Sequence, residues 1–564
     1  MKLKKYISAG CVLSAFAASA WATDYTSTVT ANGSAVTLQN SDTINTSGTA
    51  RAISVSNGGS VTVTNPLTDS VQISGANGVF VLSTGGSVNL GNGSSISTTI
   101  GSAISVTGAT SSFNAGQITL NLGTSTAPMA NTAALYGVSV TAGASIEIGN
   151  NSTLNLYGDT DNTSNKYALY SYQDDSKVLV GDNLTLNAQN VLDAVWVRLG
   201  STMTIGSGAN LSGDSARHFV LSSGVGSKLT FGDNLTMNVT NLQNGINASS
   251  SGEVDLGKNA NINAMTVNPN DNNGVGAAVY VLTGGKLRAE DATIVNTSGQ
   301  GVKLGAGGTI DLINTNVTAA TYAIAVLTSS GSANPTGVMN IIGGNYHSIG
   351  GDAIGYLGTF GNLIANSIIN ISDGAVVQSN NGVFFDTTKS NQADNYSTTI
   401  NVFGVGTRVE GVMIEGDISN TTVSILDHAT WSSAGSSKVD TLILDNANIE
   451  LTLTDINDAI SAGDMSTSGT NNITIDFSND FLNEITDGFM FDTDTAIIIG
   501  SGEKDNINYI IANGNEDGST WDVIDNGNGT YTISNINVVP EPATYVAIFG
   551  AMALALAIYR KRKS

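Results

Sequence analysis

The side chains that could carry out acid–base chemistry in this chain are few and scattered. His347 follows Tyr346 and precedes Asp352 by five residues, and this group comes nearest to a catalytic site. Polysaccharide hydrolases and lyases need paired carboxylates, or an acid and a base, held roughly 5–10 Å apart. The paired aspartates and Gly-His-Gly sequence of pectin-type hydrolases are absent. We therefore expect His347 and Asp352 to lie in a turn, and the protein not to be an enzyme; a polysaccharide lyase or hydrolase is the alternative.

Other polar groups suggest binding rather than catalysis. Four aromatic residues could form a strip on which sugar rings stack: Tyr167, Tyr170, Tyr172 and Trp196. The competing interpretation is that these rings fill a core. The lone basic pair Arg217–His218 is expected to be a surface feature.

Metal binding receives only weak support. Calcium prefers six to eight oxygen ligands, and Asp522 and Asp525 are weak candidates in an acidic C-terminal segment. The run from Asp522 to Gly529 lacks the glutamate and the spacing of an EF-hand loop. Three His in 564 residues make a multi-histidine site difficult to build. No other metal and no cofactor is predicted.

Composition limits the class of protein. Asp and Glu number 45 against 21 Lys and Arg, and the net charge is −24. That balance argues against nucleic acid as a partner, because a nucleic-acid-binding domain presents a basic surface. Hydrophobic residues make up 41% of the chain, and this fraction disfavours disorder. The single Cys excludes a disulfide framework.

The body of the chain is a repeat that would position any site. IEIGNNSTLNL, VLVGDNLTLNA, MTIGSGANLSG, LTFGDNLTMNV and VDLGKNANINA align on five glycines with spacings of 32, 25, 26 and 25 residues: Gly149, Gly181, Gly206, Gly232 and Gly257. Each phrase alternates apolar and polar residues on both sides of a Gly/Asn/Asp turn, which predicts strand, tight turn and strand. A further Gly-rich strand precedes most phrases, so each repeat holds two or three strands.

A single repeat cannot bury its apolar face alone, whereas stacked repeats can. We therefore predict an all-β fold, a right-handed parallel β-helix of roughly 16 rungs spaced about 4.8 Å apart. Asn, Ser and Thr at matching positions are expected to form hydrogen-bonded ladders. A β-sandwich array is the rival fold. Residues 278–318 also resemble the β-helical passengers of autotransporter-type adhesins. This resemblance rests on the general repeat pattern and not on a fixed motif.

The character of the chain changes after about residue 440. Residues 440–537 carry 18 Asp and Glu and one cation, Lys504. A stacked repeat needs a cap over its last rung, and we expect this mixed acidic region to be that cap. A helix is predicted over Thr454–Ala462, and WDVIDNGNGTYTIS predicts a closing hairpin.

The N-terminus has the features of a secretory signal peptide. Three lysines precede an apolar segment, and Ala20 and Ala22 supply the small residues that a signal peptidase reads. Cleavage after Ala22 is expected.

The C-terminus has three consecutive parts. Pro540, Glu541 and Pro542 precede 17 residues without charge, 543–559, which are long enough as a helix of roughly 25 Å to cross a bilayer. Four basic residues follow and would stay on the cytoplasmic side: Arg560, Lys561, Arg562 and Lys563.

This tail resembles the PEP-CTERM sorting signal of Gram-negative bacteria that make extracellular polysaccharide or biofilm. The resemblance implies recognition and processing by an exosortase, a membrane transpeptidase-like enzyme, after transient anchoring in the inner membrane.

These observations divide the chain into a signal peptide (1–22), a β-helix repeat region (23–440), an acidic capping region (441–537) and a sorting signal with a transmembrane helix (538–564). They predict a secreted, exosortase-processed protein of the cell surface or extracellular matrix, structural or adhesin-like, with extracellular polysaccharide or other surface glycans as partners. A passive structural protein without a specific ligand is a further alternative.

Overall fold

Strands form where apolar and polar residues alternate, because successive side chains of a strand point to opposite faces. In the computed structural model, Leu229 and Phe231 before a repeat turn and Met237 and Val239 after it are at most 2% exposed. The polar residues between them are exposed or half-buried. The predicted strand–turn–strand unit is therefore confirmed.

The structure describes residues 22–535, except 83, 130–133, 160–164, 268–275, 328–335, 358–365, 389–396, 417–419, 479–480, 483–487, 503 and 513–520. Within these residues the chain is all-β, with long parallel sheets stacked as a solenoid. Most rungs contribute one strand to each of three faces, named A, B and C in chain order. The predicted stack of parallel strands is confirmed.

Strands are numbered in chain order. Face A comprises β1 (Asp24–Tyr25), β4 (Thr43–Asn45), β7 (Gln72–Gly75), β10 (Ser94–Thr98), β13 (Ile118–Leu122), β16 (Thr153–Tyr157), the first halves of β19 (Thr185–Arg198) and β21 (Asn210–Ser223), β23 (Thr236–Leu242), β26 (Asn261–Thr266), β29 (Thr293–Asn296), β32 (Asn316–Ala319), β35 (Asn345–Ser348), β38 (Val376–Ser379), β41 (Arg408–Glu410), β44 (Thr430–Ala434), β46 (Asn448–Leu453), β48 (Asn471–Phe477) and β51 (Ile507–Ile511).

Face B comprises β2 (Val29–Asn32), β5 (Arg51–Ser56), β8 (Asn77–Val81), β11 (Ile104–Thr107), β14 (Leu135–Thr141), β17 (Lys166–Tyr172), the second halves of β19 and β21, β24 (Asn244–Ser249), β27 (Ala277–Val281), β30 (Gln300–Gly305), β33 (Ile324–Leu327), β36 (Ile354–Leu357), β39 (Val383–Asp386) and β42 (Val412–Ile414).

Face C comprises β3 (Ala35–Leu38), β6 (Ser60–Val63), β9 (Ser87–Leu90), β12 (Ser112–Ala115), β15 (Ser145–Ile148), β18 (Lys177–Val180), β20 (Thr202–Ile205), β22 (Lys228–Phe231), β25 (Glu253–Lys258), β28 (Lys286–Glu290), β31 (Thr309–Ile313), β34 (Gly337–Ile342), β37 (Asn366–Ser372), β40 (Ser397–Phe403), β43 (Asn420–Leu426), β45 (Ser437–Asp445), β47 (Ile460–Ser468) and β50 (Ile497–Gly502). Its eighteen described strands, at about 4.8 Å per rung, make a rod of roughly 80 Å.

Adjacent rungs pair in register, so like side chains stack on like. On face A, Leu154 pairs with Leu186, Leu186 with Leu211, and Leu211 with Met237. All four are at most 2% exposed, and such columns form one continuous apolar interior. Register is fixed here because a slip of one residue would turn every apolar side chain outwards.

The expected polar ladders are present on the outer side of the strands. Asn155 donates from Nδ2 to Oδ1 of Asn121 at 2.9 Å and accepts from Nδ2 of Asn187 at 2.7 Å. A second ladder joins Asn340, Asn370 and Asn401 on face C. Each side-chain amide both donates and accepts a hydrogen bond. A column of Asn residues in register therefore satisfies its own hydrogen-bonding groups.

The tight turn between faces C and A requires Asn and Gly for two different structural reasons. Asn183 adopts a left-handed φ of 57°, which Asn tolerates better than most residues. Gly181 serves a different need: a Cβ there would lie 2.7 Å from the backbone nitrogen of Asn150 in the preceding rung. The two residues thus bend the chain and let the rungs approach.

Parallel stacking continues beyond residue 440. Face B ends at β42 among the described strands, but β45, β47 and β50 extend face C, and β46, β48 and β51 extend face A. Much of the predicted capping region therefore belongs to the solenoid. A separate antiparallel sheet is formed by β49 (Phe489–Asp492), β52 (Trp521–Gly527) and β53 (Thr530–Asn535), and a 3₁₀ turn follows β49 at Thr493–Thr495.

The helix predicted over Thr454–Ala462 is wrong. Asp458 folds its carboxylate back to accept hydrogen bonds from the N–H groups of Thr454 and Asp455, at 2.6 and 2.8 Å. This closes a turn, as Asp side chains commonly do, and β47 starts at Ile460. The predicted hairpin is confirmed in β52 and β53, where Asn528 and Gly529 take left-handed φ values of 59° and 76°.

Aromatic side chains mark the C-terminal end of the rod. The ring of Phe477 lies 5.4 Å from that of Phe481 and 5.7 Å from that of Phe491. All three are buried, at most 8% exposed. This cluster joins the last part of face A to the antiparallel sheet.

The predicted processing signals fall outside the described residues, apart from Ala22. These are Ala20, the motif Pro540–Glu541–Pro542, the predicted span 543–559, and the basic residues Arg560, Lys561, Arg562 and Lys563. In the described portion, no helix has the length and apolar character needed to cross a membrane.

Candidate functional site

A cluster of aromatic rings lies on the outer side of face B. Tyr136 on β14 pairs in register with Tyr167 on β17, and Tyr170 on β17 pairs with Trp196 on β19. Ring centroids are 5.4 Å apart for Tyr136 and Tyr167, 5.2 Å for Tyr167 and Trp196, and 5.4 Å for Tyr170 and Trp196. Parallel stacking brings together residues about 30 positions apart in sequence.

Most of this cluster is covered by its own rings. Tyr167 and Tyr170 are only 5% and 7% exposed, and burial raises the pKa of each phenol to about 12. These two rings therefore do not offer free faces to a sugar, and their burial agrees with the alternative that they fill a core. Tyr172 and Trp196 remain half-buried at the surface, so the accessible aromatic area of these four residues comes mainly from these two rings.

Arg198 covers the exposed side of the cluster. Its guanidinium carbon lies 4.8 Å from the ring centroid of Trp196 and 5.4 Å from that of Tyr172. Both contacts are within cation–π range. Among the described side chains, no carboxylate lies within ion-pair distance of Arg198. Among the described side chains, Arg198 thus has aromatic contacts with Trp196 and Tyr172 and a hydrogen bond with Tyr170, and it forms no ion pair.

A second arginine is neutralised. Arg217 on β21 donates from Nε to Oδ1 of Asp193 at 3.1 Å, and a second guanidinium nitrogen contacts Oδ2. The Asp193 carboxylate is fully buried and also accepts the His218 backbone N–H at 3.2 Å. Burial lowers the pKa of Arg217, but the hydrogen bond and charge of Asp193 outweigh it and raise that pKa overall.

His218 is held neutral beside this pair. Burial, helped by the charge of Arg217, lowers the pKa of its imidazole to about 3. Its Nδ1 is buried and makes no hydrogen bond. Arg217 and His218 are both half-buried, so the pair lies at the surface as expected and is at the same time packed against Asp193.

A groove of about 550 Å³ extends from Trp196 along face B. The outward column of its floor is Trp196, Leu221, Asn247 and Tyr280, each paired in register with the next. Two arginines and no carboxylate line the groove. Asn247 is 4% exposed, and its side-chain oxygen is buried without a hydrogen-bond partner. An unpaired buried amide in a groove is a polar group available to a ligand.

The candidate acid–base residues His347 and Asp352 lie beside a turn of the neighbouring rung. His347 lies on the strand β35 rather than in a turn, and its Nε2 is 2.7 Å from Oδ1 of Asn380. Asp352 is fully buried and accepts from Nδ2 of Asn381 at 2.9 Å. Both side chains thus contact the turn at Asn380–Asn381.

The acidic segment offers little for calcium in its described part. The Asp525 carboxylate accepts the N–H of Gly527 at 2.7 Å, inside the hairpin turn. The side chain of Asp522 lies outside what the structure describes. No group of three or more Asp, Glu, His or Cys side chains is placed to hold a metal among the described residues.

Sequence reasoning missed four residues of this site, Tyr136, Arg198, Asn247 and Tyr280, and it considered Arg217 only as part of a surface pair. The sequence signal that could have located part of the site is the regular spacing of its residues. Tyr136, Tyr167, Asp193 and His218 follow one another by 31, 26 and 25 residues, close to the repeat length, and they stack in one column. Aligning charged and aromatic residues on the repeat would have grouped Tyr136 and Asp193 with Tyr167 and His218.

Searches against protein-family models and curated proteins found no match to this chain.

Proposed function

We propose that this protein is an exported component of the cell surface or extracellular matrix that binds polysaccharide without cleaving it. The observation that carries this proposal is the face B groove, where half-buried aromatic rings, arginines and an unpaired amide line one side of a long rod. Sugar-binding sites combine apolar ring surfaces with a few placed polar groups.

Export and sorting rest on the sequence. The signal-peptide features at Ala20 and Ala22 and the three-part tail around Pro540–Pro542 support processing by signal peptidase and exosortase. In this proposal the chain is held in the inner membrane through residues 543–559 until the tail is processed. The rod then presents the groove to polymers outside the cell.

The test is binding of the full-length chain to an array of polysaccharides and oligosaccharides, with a parallel assay for released fragments. Saturable binding without fragments supports the proposal. Released oligosaccharide would establish instead a carbohydrate-active enzyme. An absence of binding and of products would favour a passive structural rod.

A further inference from the structure

We propose that the face B groove is selective for anionic sugar units, carrying carboxylate or sulfate groups, with Arg198 as the residue that recognises the charge. This rests on the proposed function and deepens it, because polysaccharide binding alone does not require an acidic ligand.

The groove lining is positively charged, whereas the whole chain carries a net negative charge. Asp and Glu outnumber Lys and Arg by 45 to 21 over the whole chain. The groove, however, has Arg198 and Arg217 in its lining and no carboxylate. Asp193 lies behind the groove and neutralises only Arg217. In so acidic a protein, a groove lined by two arginines, one of which forms no ion pair with the described residues, is suited to an anion.

The geometry at Arg198 favours an anionic group that presents two acceptor oxygens. The guanidinium rests against Trp196 and Tyr172, so the side chain is ordered before a ligand arrives. A guanidinium presents its donors as a fork that matches the two oxygens of a carboxylate or sulfate. Ordering in advance reduces the entropy lost on binding.

Polar groups further along the groove suit sugar hydroxyls. The Asn247 side-chain oxygen and His218 Nδ1 are both buried and unpaired, and neutral His218 can accept from a hydroxyl. Tyr280 lies three rungs from Trp196, roughly 14 Å along the axis. The groove is thus long enough for several sugar units.

The experiment measures calorimetric binding of the full-length chain to three oligosaccharides of equal length: a galacturonate, a sulfated galactan and a neutral galactan. Arg198→Gln removes the charge, and Arg198→Lys keeps the charge but loses the fork. Arg51→Gln is the matched control, because Arg51 also covers an aromatic ring on face B, Phe80 at 4.7 Å, outside the groove.

We expect at least one acidic probe to bind roughly tenfold or more tightly than the neutral one, since a charge-assisted hydrogen bond contributes that much. Arg198→Gln should abolish this preference, Arg198→Lys should reduce it, and Arg51→Gln should leave it intact. Raising the salt concentration should weaken only the acidic probes. Binding of one acidic probe, or of both, shows whether the groove recognises carboxylate, sulfate or both groups.

Two results overturn the inference while sparing the proposed function: equal affinity for neutral and acidic probes, or an acidic preference that survives in Arg198→Gln. Failure of all three probes, followed by a blank polysaccharide array, would remove the inference and the proposed function together. Circular dichroism of each variant separates loss of binding from loss of folding.

Discussion

The buried carboxylate of Asp193 accepts a 3.1 Å hydrogen bond from Nε of Arg217, which lies 24 residues later in the chain and one rung further along the rod. The pair joins two turns of the solenoid beneath the groove. Asp193 has no exposed side-chain surface, whereas Arg217 is 34% exposed.

Arg217→Ala should therefore destabilise the protein strongly. It leaves a buried carboxylate without its cation, which typically costs about 3–5 kcal/mol. Lys286→Ala is the comparison, because Lys286 pairs with Glu253 at an exposed position and should cost less than about 1 kcal/mol. Chemical unfolding of both variants measures the difference, and similar losses would contradict the assigned role of Asp193.

Acid should destabilise the fold through His218. Its folded pKa of about 3 lies below the ordinary 6.5, so between these values the unfolded chain binds a proton that the folded chain does not. The contribution of His218 is complete above about pH 6.5 and falls by about 1.4 kcal/mol per pH unit below it. His218→Gln should flatten this dependence in urea unfolding at about pH 7 and about pH 5. An unchanged slope in the variant would show that other groups are responsible.

Gly181→Ala should separate neighbouring rungs. The added Cβ would meet the backbone nitrogen of Asn150 at 2.7 Å, and overpacking of this kind costs roughly 1–3 kcal/mol. Gly416→Ala is the control, since its nearest contact would be an ordinary 3.7 Å to Thr388. Thermal unfolding should show a lower midpoint for Gly181→Ala alone. Equal midpoints for the two variants would mean that the turn accommodates the added methyl group without loss of stability.

Removal of divalent cations should leave groove binding unchanged. If Arg198 provides the positive charge, an acidic oligosaccharide needs no bridging calcium. Binding measured in EDTA and in millimolar Ca²⁺ should then agree. A requirement for Ca²⁺ would shift attention to the acidic segment around Asp522 and Asp525.

The periodic part of the fold could be predicted because alternation and turn residues are local signals. Leu229 and Phe231 point inwards as their spacing requires, and the Asn528–Gly529 turn closes the hairpin. The prediction of a helix over Thr454–Ala462 was wrong because the Asp458 side chain closes a turn. Residue spacing alone does not reveal this hydrogen bond.

The site was harder to predict because it depends on register between rungs. Tyr167 and Tyr170 could be recognised as a group, but their burial follows from Tyr136 and Trp196 on neighbouring rungs. Arg198 and Arg217 look alike in sequence. Only stacking shows that Asp193 compensates Arg217, whereas Arg198 rests on aromatic rings.

Parallel pairing from β3 to β50 has a mechanical consequence. The backbone hydrogen bonds between rungs run along the long axis, so a pull between the two ends loads successive rungs in series. Such a rod should lengthen in small steps as single rungs detach, since each rung contacts only its neighbours. A force-extension trace should show a series of small releases instead of one large rupture.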